Sequence, residues 1–317
     1  LRPSLSPGFF CVFITASRPP KMFSITKHYK IWFAISAILI LTSFVFLFMW
    51  GLRPGIDFRG GTLRDVEFEN PVSVAELRDG LREAGYSATV QPVSAGRAII
   101  KTEAQSVEEQ AAFKQMLEER FGAFTELEFE SIGPAIGREL VRKAYWQVLL
   151  VSLGVVMFVS YSFRRIAANA KQYKLPSWKL GVATMIALLH DLIIPLGLFA
   201  FLGKYHGVEI DSLFVTALLT ILGFSVHDTI VVFDRIRETV QRFPYKPLGS
   251  LIDYSVYSTL ARSINTSSTL VFVLVASLLF GGGTIFYFVL TLLVGVTVGT
   301  YSSVFIASPI LYLWQKR

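Results

Sequence analysis

The sequence predicts an all-α membrane bundle of six helices with a small external α+β domain of the ferredoxin-like type. Composition is the first observation: 53% of the 317 residues are hydrophobic and 17% are charged, whereas soluble domains carry about 25% charged residues. The second observation is a set of six stretches that reach the roughly 20 apolar residues needed to cross a bilayer. The third is a single long segment, residues 51–143, that holds most of the acidic side chains.

The apolar stretches divide the chain into regions. We assign residues 22–50 to an N-terminal segment and the first transmembrane helix, residues 51–143 to the external domain, and residues 144–317 to a bundle of five transmembrane helices. Residues 1–21 are interrupted by proline and arginine, and we expect a non-native or mis-started extension there rather than a signal peptide. Pro309 predicts a kink in the last helix. The stretches run roughly over 31–50, 145–163, 180–202, 211–233, 264–281 and 286–314.

Lysine and arginine in the short loops predict the orientation. Cytoplasmic loops carry an excess of these residues, and here they cluster before the first span, after the second and fourth spans, and at the end of the chain. Both termini are therefore expected in the cytoplasm, with residues 51–143 on the external side of the membrane. The net charge of +7 then reflects topology, and we expect no nucleic-acid partner.

The external segment has the pattern of a ferredoxin-like domain. Alternating or β-rich runs predict strands over residues 62–68, 87–93, 97–102 and 124–132, and capped amphipathic runs predict helices over 73–85 and 106–122. The resulting order β-α-β-β-α-β is the split βαβ motif. No nucleophile–base pair, metal-ligand cluster or phosphate loop stands out in the segment. We therefore predict no enzymatic activity and no cofactor.

Asp228 is the sharpest feature of the membrane part, in "GFSVHDTIVVFDRIRE" over residues 223–238. If the fourth helix starts near Asp211, Asp228 lies about 25 Å into the membrane. In "ARSINTSSTL", Arg262 can occupy a similar depth on the fifth helix and pair with it, on the helix face that carries Asn265, Thr266 and Thr269. Intramembrane ionisable residues face a cavity or a partner and mark ion paths. A structural tether, or a position at the water interface, remains an alternative.

Three further ionisable residues are candidates for proton transfer. His190 and Asp191 lie near the middle of the third helix, and His227 directly precedes Asp228. Histidine changes charge near neutral pH, so each pair could hold or pass a proton. Metal binding by these residues lacks a supporting ligand spacing or cysteine, and we predict no metal site. Structural polar packing is the other alternative for His190 and Asp191. In the sixth helix, a row of small residues predicts close helix packing: Gly295, Gly299 and Ser303.

Glycines flank the external domain at both of its connections. The entry segment "GIDFRGG" contains Gly55, Gly60 and Gly61, and the exit segment "SIGPAIG" contains Gly133 and Gly137. Hinges absorb backbone changes at a few such positions, so we predict a hinge that moves the domain. A rigid, turn-rich joint is the alternative.

Four motifs together resemble the SecD/SecF family of bacterial protein-export membrane subunits, within the resistance–nodulation–division superfamily. They occur in order and the resemblance covers residues 22–317: "GIDFRGGT", "HDLII", "GFSVHDTIVVFDRIRE" and "ARSINTSSTLVFVLVASLLFGGG". The resemblance implies Asp228 and Arg262 as the functional pair and a location in the bacterial inner membrane. It also implies a SecD partner and use of the proton-motive force to draw preproteins outward after SecA and the SecYEG channel have started them.

The pattern departs from the family at His227, where the family usually has asparagine, and this change puts the proton affinity of the site in question. Residues 1–21 do not resemble the end of a SecD half, so we expect a separate chain. Three alternatives stay open. The first is a proton-driven exporter of lipids or small molecules from the same superfamily. The second, an intramembrane aspartyl protease, lacks a GxGD signature. The third is a purely structural assembly subunit.

Overall fold

A computed structural model describes residues 24–94, 96–163 and 176–316 of the chain. The expectation for residues 1–21 therefore lies outside the described residues. The first helix, α1, spans Tyr29–Trp50 and ends at Gly51, which adopts a positive φ of 64°. A single helical turn follows, α2 at Ile56–Arg59, within the segment for which the sequence predicted a glycine-rich joint.

The small domain has the predicted ferredoxin-like topology. Four antiparallel strands lie in the order β2-β3-β1-β4, and two helices connect them. The helices bury their apolar sides against the sheet, around Phe113, Leu77 and Val66. The elements are β1 Gly61–Phe68, α3 Val74–Glu83, β2 Ala88–Ser94, β3 Arg97–Thr102, α4 Val107–Phe121 and β4 Phe124–Ile132.

Helix caps explain where the two domain helices begin. Ser73 accepts a hydrogen bond from the Glu76 amide at the start of α3. Ser106 and Glu109 form a reciprocal capping box at the start of α4, which satisfies two amides that a helix otherwise leaves unpaired. Gly122 ends α4 with a φ of 92°, a conformation that favours glycine.

Five further membrane helices complete the fold, so the predicted class of a six-helix membrane bundle with a small α+β domain is confirmed. Six helices of the described chain are long and apolar enough to cross a membrane. The last of them is interrupted by one π-helical turn. The remaining elements are α5 Pro134–Ser162, α6 Ser177–His206, α7 Ser212–Arg242, α8 Leu248–Phe280, α9 Gly283–Ser302, the π-turn Ser303–Ala307 and α10 Ser308–Lys316.

The helices extend beyond the apolar stretches because hydropathy marks only the part that suits lipid. Helix α5 runs without a break from Pro134, so residues 134–143, which the sequence placed with the domain, form the start of the second membrane helix. The irregularity expected near Pro309 is the π-turn. Proline at 309 conflicts with the carbonyl four residues earlier, Phe305, and that residue lies within the turn.

The bundle has an inner and an outer set of helices. About half of the spanning part of α6, of α7 and of the last span is buried, whereas α1, α5 and α8 bury few of their side chains in the isolated chain. The core joins α6, α7 and the last span through buried apolar side chains such as Phe199, Ile221 and Leu311. Polar groups on α6 and α7 are therefore held inside the bundle.

The small domain is tied to the bundle by backbone and side-chain contacts at its base. Pro54 and Ile210 form a parallel bridge: the Gly55 amide donates to the Ile210 carbonyl at 2.7 Å and the Ile210 amide to the Arg53 carbonyl at 2.8 Å. Asp57 Oδ2 accepts from the Ser212 amide at 2.7 Å. The segment between α6 and α7 is thus fixed to the entry of the domain.

Ion pairs reinforce this joint. Glu209 accepts from Arg59 at 2.9 Å and from Lys101 at 3.2 Å. Asp211 caps α7 by accepting from the Phe214 amide at 2.7 Å. Burial raises the pKa of the Asp211 carboxyl, the Phe214 hydrogen bond opposes that shift, and the negative Asp57 adds to it. The joint therefore combines matched charges with one carboxyl that burial makes easier to protonate.

Candidate functional site

Asp228 lies on α7 and points into the bundle. The residue is 3% exposed, and Ser263 of the neighbouring helix α8 is 1% exposed. Ser263, His227 and Arg262 are polar groups near this carboxylate. Within the described residues, Asp228 Oδ2 and Ser263 Oγ have no hydrogen-bond partner. A buried polar atom without a partner is costly, so these two buried groups leave hydrogen-bonding capacity unused between α7 and α8.

The side chain of Arg262 points outward and does not form the predicted pair with Asp228. Arg262 is exposed, and the described residues contain no ion pair between Arg262 and Asp228. Consecutive residues of a helix point about 100° apart, so Ser263 faces Asp228 and Arg262 faces outward. Asn265, Thr266 and Thr269 are exposed on the same side of α8 as Arg262. Proximity in depth was predicted, but the direct contact is not formed in this conformation.

A cavity of about 500 Å³ leads to Arg262 from the end of α7. Its walls are the end of α5 and facing parts of α7 and α8, from Glu238 near the α7 terminus to Ile230 and Arg262 deeper in. Arg235 donates to Glu238 at 2.5 Å and to Ser258 at 3.0 Å. The polar lining makes the cavity suitable for water that reaches Arg262.

The charged positions of three helices lie at a similar depth by residue count. Asp191, Asp228 and Arg262 are equally far along the chain from the start of α6, the end of α7 and the start of α8, respectively. These three helix ends lie on the same side because successive spans run in opposite directions. Each position is therefore about 21 Å from that side at a rise of about 1.5 Å per residue. The three helices have 30, 31 and 33 residues, so these positions lie near the middle of each helix and within a hydrocarbon core about 30 Å thick.

His190 and Asp191 form a hydrogen-bonded network inside the bundle. His190 Nδ1 lies 2.9 Å from Asp191 Oδ1. Asp191 Oδ2 accepts from Ser225 Oγ of α7 at 2.5 Å and from Ser302 Oγ of α9 at 2.8 Å. The histidine and the aspartate are 2% and 0% exposed. One carboxylate thus connects three helices. Within the described residues, no group of three or more potential metal-ligating side chains occurs.

Sequence reasoning missed the hydroxyl groups that complete this network. Ser303 Oγ and Thr229 Oγ1 lie 2.9 Å apart, and both lie close to the Ser225 carbonyl, at 3.2 and 3.1 Å. The small-residue row contained the signal, since a Cβ on Gly299 would lie 3.0 Å from Ser225 Cβ. Close helix approach at Gly299 is what lets short serine side chains reach across.

His227 and the predicted hinge glycines do not belong to the network around Asp191. His227 is exposed on α7, away from the His190 network. Gly60 has a φ of 82°, and a Cβ there would lie 2.9 Å from Pro134. The others at the joint are also close-contact positions, with a Cβ on Gly55 meeting the Ile210 carbonyl at 2.9 Å and one on Gly61 meeting Ile56 at 2.7 Å. Gly133 alone of the five has open space, and Gly137 meets Phe58.

These features define a multi-pass membrane protein with a ferredoxin-like domain between its first two spans and ionisable side chains held at one depth of the bundle. A family model for the C-terminal part of the SecD/SecF protein export membrane proteins matches residues 112–317. A second, for the SecD/SecF GG motif, matches residues 45–72.

Relatives of known name cover nearly the whole chain. Protein translocase subunit SecF of Thermobaculum terrenum is 41% identical over 93% of this chain and 95% of the relative. SecF of Anaerolinea thermophila is 36% identical over the same shares. A crystal structure of SecDF, a translocon-associated membrane protein from Thermus thermophilus, matches with a TM-score of 0.80 and 32% identity over 94% of this chain. The chain spans 39% of that SecDF chain. The protein belongs to the SecD/SecF family.

Proposed function

We propose that this chain is a subunit of the bacterial Sec protein-export machinery, working with SecD to use the proton-motive force for late translocation of preproteins. In this proposal SecA starts the preprotein through the SecYEG channel, and the SecD–SecF pair draws it outward. The names of the SecF relatives and of the SecDF structure support this role. They do not favour the alternative, a proton-driven exporter of lipids or small molecules.

The buried carboxyl of Asp228 is the observation that carries the proton-coupled part. A protonated carboxyl is both a donor and an acceptor and matches the hydroxyl of Ser263, whereas an ionised carboxylate matches the guanidinium of Arg262. The same helix presents both partners at adjacent positions. Proton release at Asp228 would therefore favour a turn of α8 that brings Arg262 inward, with the cavity beside Arg262 as the water path.

The exposed polar side of α8 supports a second membrane subunit. Arginine and asparagine are unfavourable against lipid, by about 2.5–3.5 kcal/mol for arginine at the centre of a membrane helix. Arg262, Asn265, Thr266 and Thr269 nevertheless lie on one exposed side of the isolated chain. A protein surface that covers this side would remove the conflict, and SecD is the partner we propose for it.

The same proposal includes the orientation of the chain in the membrane and a movement of the small domain. We propose a bacterial inner-membrane protein with both termini cytoplasmic and residues 51–143 external, because basic residues concentrate in the loops on one side. The domain would act as a moving lever without enzymatic activity, with Gly55, Gly60, Gly61, Gly133 and Gly137 at its joint. The close contacts of the four glycines other than Gly133 support small shifts of a packed joint better than free bending at a loop.

Export by reconstituted vesicles tests the function. Vesicles would contain SecYEG, SecD and this chain, with SecA and a preprotein, and export would be measured with and without an imposed proton gradient. We expect Asp228→Asn and Arg262→Met each to abolish the stimulation by the gradient while copurification with SecD stays normal. Thr220→Val is the control, since it removes a polar atom from an exposed position of the same helix. Full stimulation in both variants would reduce Asp228 and Arg262 to structural contacts.

A further inference from the structure

One ring nitrogen of His190 takes no part in the hydrogen-bonded network around Asp191. The side chain is 2% exposed in the middle of α6, and its Nδ1 lies 2.9 Å from Asp191 Oδ1. Its second ring nitrogen, Nε2, has no hydrogen-bond partner among the described residues. Imidazole nitrogens can donate or accept depending on the proton they carry, so the partners of Asp191 decide which state the ring is in.

Counting donors and acceptors limits the states that the ring can take. The Asp191 carboxylate is approached by three groups that can donate: His190 Nδ1, Ser225 Oγ and Ser302 Oγ. An ionised carboxylate accepts from all three at once, whereas a protonated one requires that His190 Nδ1 or one serine hydroxyl accept instead. The arrangement in which all three groups donate has an ionised Asp191 and a hydrogen on His190 Nδ1. In the neutral ring, Nε2 is then the basic atom.

Among the described residues, no cationic side chain other than His190 pairs with Asp191. Residues 31–50 of α1 and residues 146–160 of α5 contain no ionisable side chain. Helix α9 contributes the Tyr301 ring, 6.1 Å from the imidazole, and α7 contributes Asp228, which faces α8. Lys179, near the start of α6, donates instead to the Trp314 carbonyl of α10. A buried carboxylate without a counter-charge is strongly unfavourable.

We propose that His190 and Asp191 form a second proton-binding site, separate from Asp228, in which His190 Nε2 binds and releases the proton. Asp191 stays ionised in both states and orients the ring. Uptake of one proton converts imidazole to imidazolium and changes the pair from a net charge of −1 to zero. The arrangement resembles the carboxylate–imidazole half of a catalytic triad, in which a carboxylate on Nδ1 leaves Nε2 as the base.

The two sites are joined mechanically through α7. Asp191 holds Ser225, and Asp228 follows Ser225 by one helical turn. Protonation at His190 therefore changes the charge on one side of α7 while protonation of Asp228 changes it on the side that faces α8. This use of the site rests on the proposed function, but binding of a proton at Nε2 does not.

Nitrogen NMR of the full chain tests the proposal directly. The chain would be labelled with [15N]histidine, reconstituted in lipid vesicles and recorded between about pH 9 and pH 5, a range that brackets ordinary histidine titration. Its four histidines would be assigned by comparison with a His190→Gln sample. We expect His190 Nδ1 to be protonated throughout and Nε2 to change from unprotonated to protonated. His206, exposed at the end of the same helix, is the control that shows the sample has equilibrated.

Changing Asp191 tests the coupling. Asp191→Asn removes the negative charge that favours imidazolium, so the change in the Nε2 signal should occur at a lower pH than in the unchanged chain. If this variant does not fold, Ser302→Ala removes one donor and should produce a smaller displacement. An Nε2 resonance that stays constant while His206 titrates, a ring protonated only on Nε2, or an unmoved midpoint in the folded variant would each overturn the proposal. Normal gradient-driven export by Asp228→Asn would instead contradict the proposed function and leave this site standing.

Discussion

Replacing Gly137 by alanine tests how tightly the small domain is joined to the membrane helices. A Cβ at this position on α5 would lie 2.9 Å from the Phe58 carbonyl oxygen and 3.0 Å from the Gly60 amide nitrogen. Both are backbone atoms, so neither can swing aside, and overpacking of this kind costs about 1–3 kcal/mol. Alanine also stabilises a helix by at most about 1 kcal/mol relative to glycine, and this gain would partly offset the cost of the clash.

Gly154→Ala separates the two effects. Gly154 lies on the same helix, and a Cβ there would have no atom within 4 Å, so this variant has the helix gain without the clash. The difference between the two variants is then the clash itself, about 1–3 kcal/mol, or about 5- to 160-fold in the local opening equilibrium.

Hydrogen exchange of the chain in lipid nanodiscs measures this difference. A peptide over residues 52–61 contains the Gly55 and Gly60 amides, which donate to the Ile210 and Ile56 carbonyls. We expect both amides to exchange faster in Gly137→Ala than in Gly154→Ala. Equal exchange rates in the two variants would show that α5 can withdraw from α2 without loss, and the close-packed joint would then be the wrong description.

Three further outcomes are expected. The pKa of Asp211 is raised in the folded chain, so the folded joint binds a proton more readily than the unfolded chain does. Its stability should therefore increase as pH falls from neutral towards the ordinary carboxyl pKa of 3.8. The protection of the Phe214 amide against exchange should show this increase, and Asp211→Asn, which still caps a helix, should abolish the pH dependence. His227→Asn should keep gradient-driven export because His227 is exposed, and complete loss would make it the proton carrier. Asp65→Ala should destabilise the small domain by about 2–3 kcal/mol, because it leaves Arg97, which binds Asp65 at 2.6 and 2.9 Å, without its partner. The cost is below the roughly 3–5 kcal/mol of a fully buried pair because the Arg97 side chain is 30% exposed. An unchanged thermal unfolding midpoint would contradict this.

Local signals predicted the small domain closely. The strands at 97–102 and 124–132 have the predicted bounds, and Ser106 and Gly122 cap α4 as expected. Caps and alternation are read from neighbouring residues, so they need no knowledge of the rest of the fold. The membrane helices were predicted in number and order, but their ends were set too short. Polar turns such as the start of α5 continue a helix without adding to its hydropathy.

At the candidate site, the sequence predicted the depth of the side chains but not their direction. Depth along a helix follows from counting residues, and this count placed Asp228 and Arg262 at one level. The direction of a side chain depends on helix rotation, and one residue changes it by about 100°. Whether Arg262 or Ser263 meets Asp228 is therefore decided by packing between α7 and α8. Ser225 and Ser302 were invisible for a related reason, since serine is common in membrane helices and only its neighbours give it a role.

The first turn of α7 has a mechanical consequence. Two carboxylates hold its amides, Asp57 from the small domain and Asp211 from the helix cap. Asp228 lies further along the same continuous helix, about 24 Å from its start at the usual rise per residue. An α-helix is stiff along its axis, so if the domain moves as proposed, a tensile load on it would reach Asp228 as an axial displacement. The domain contact and Asp228 lie on the same helix, which would couple a movement of one to a movement of the other.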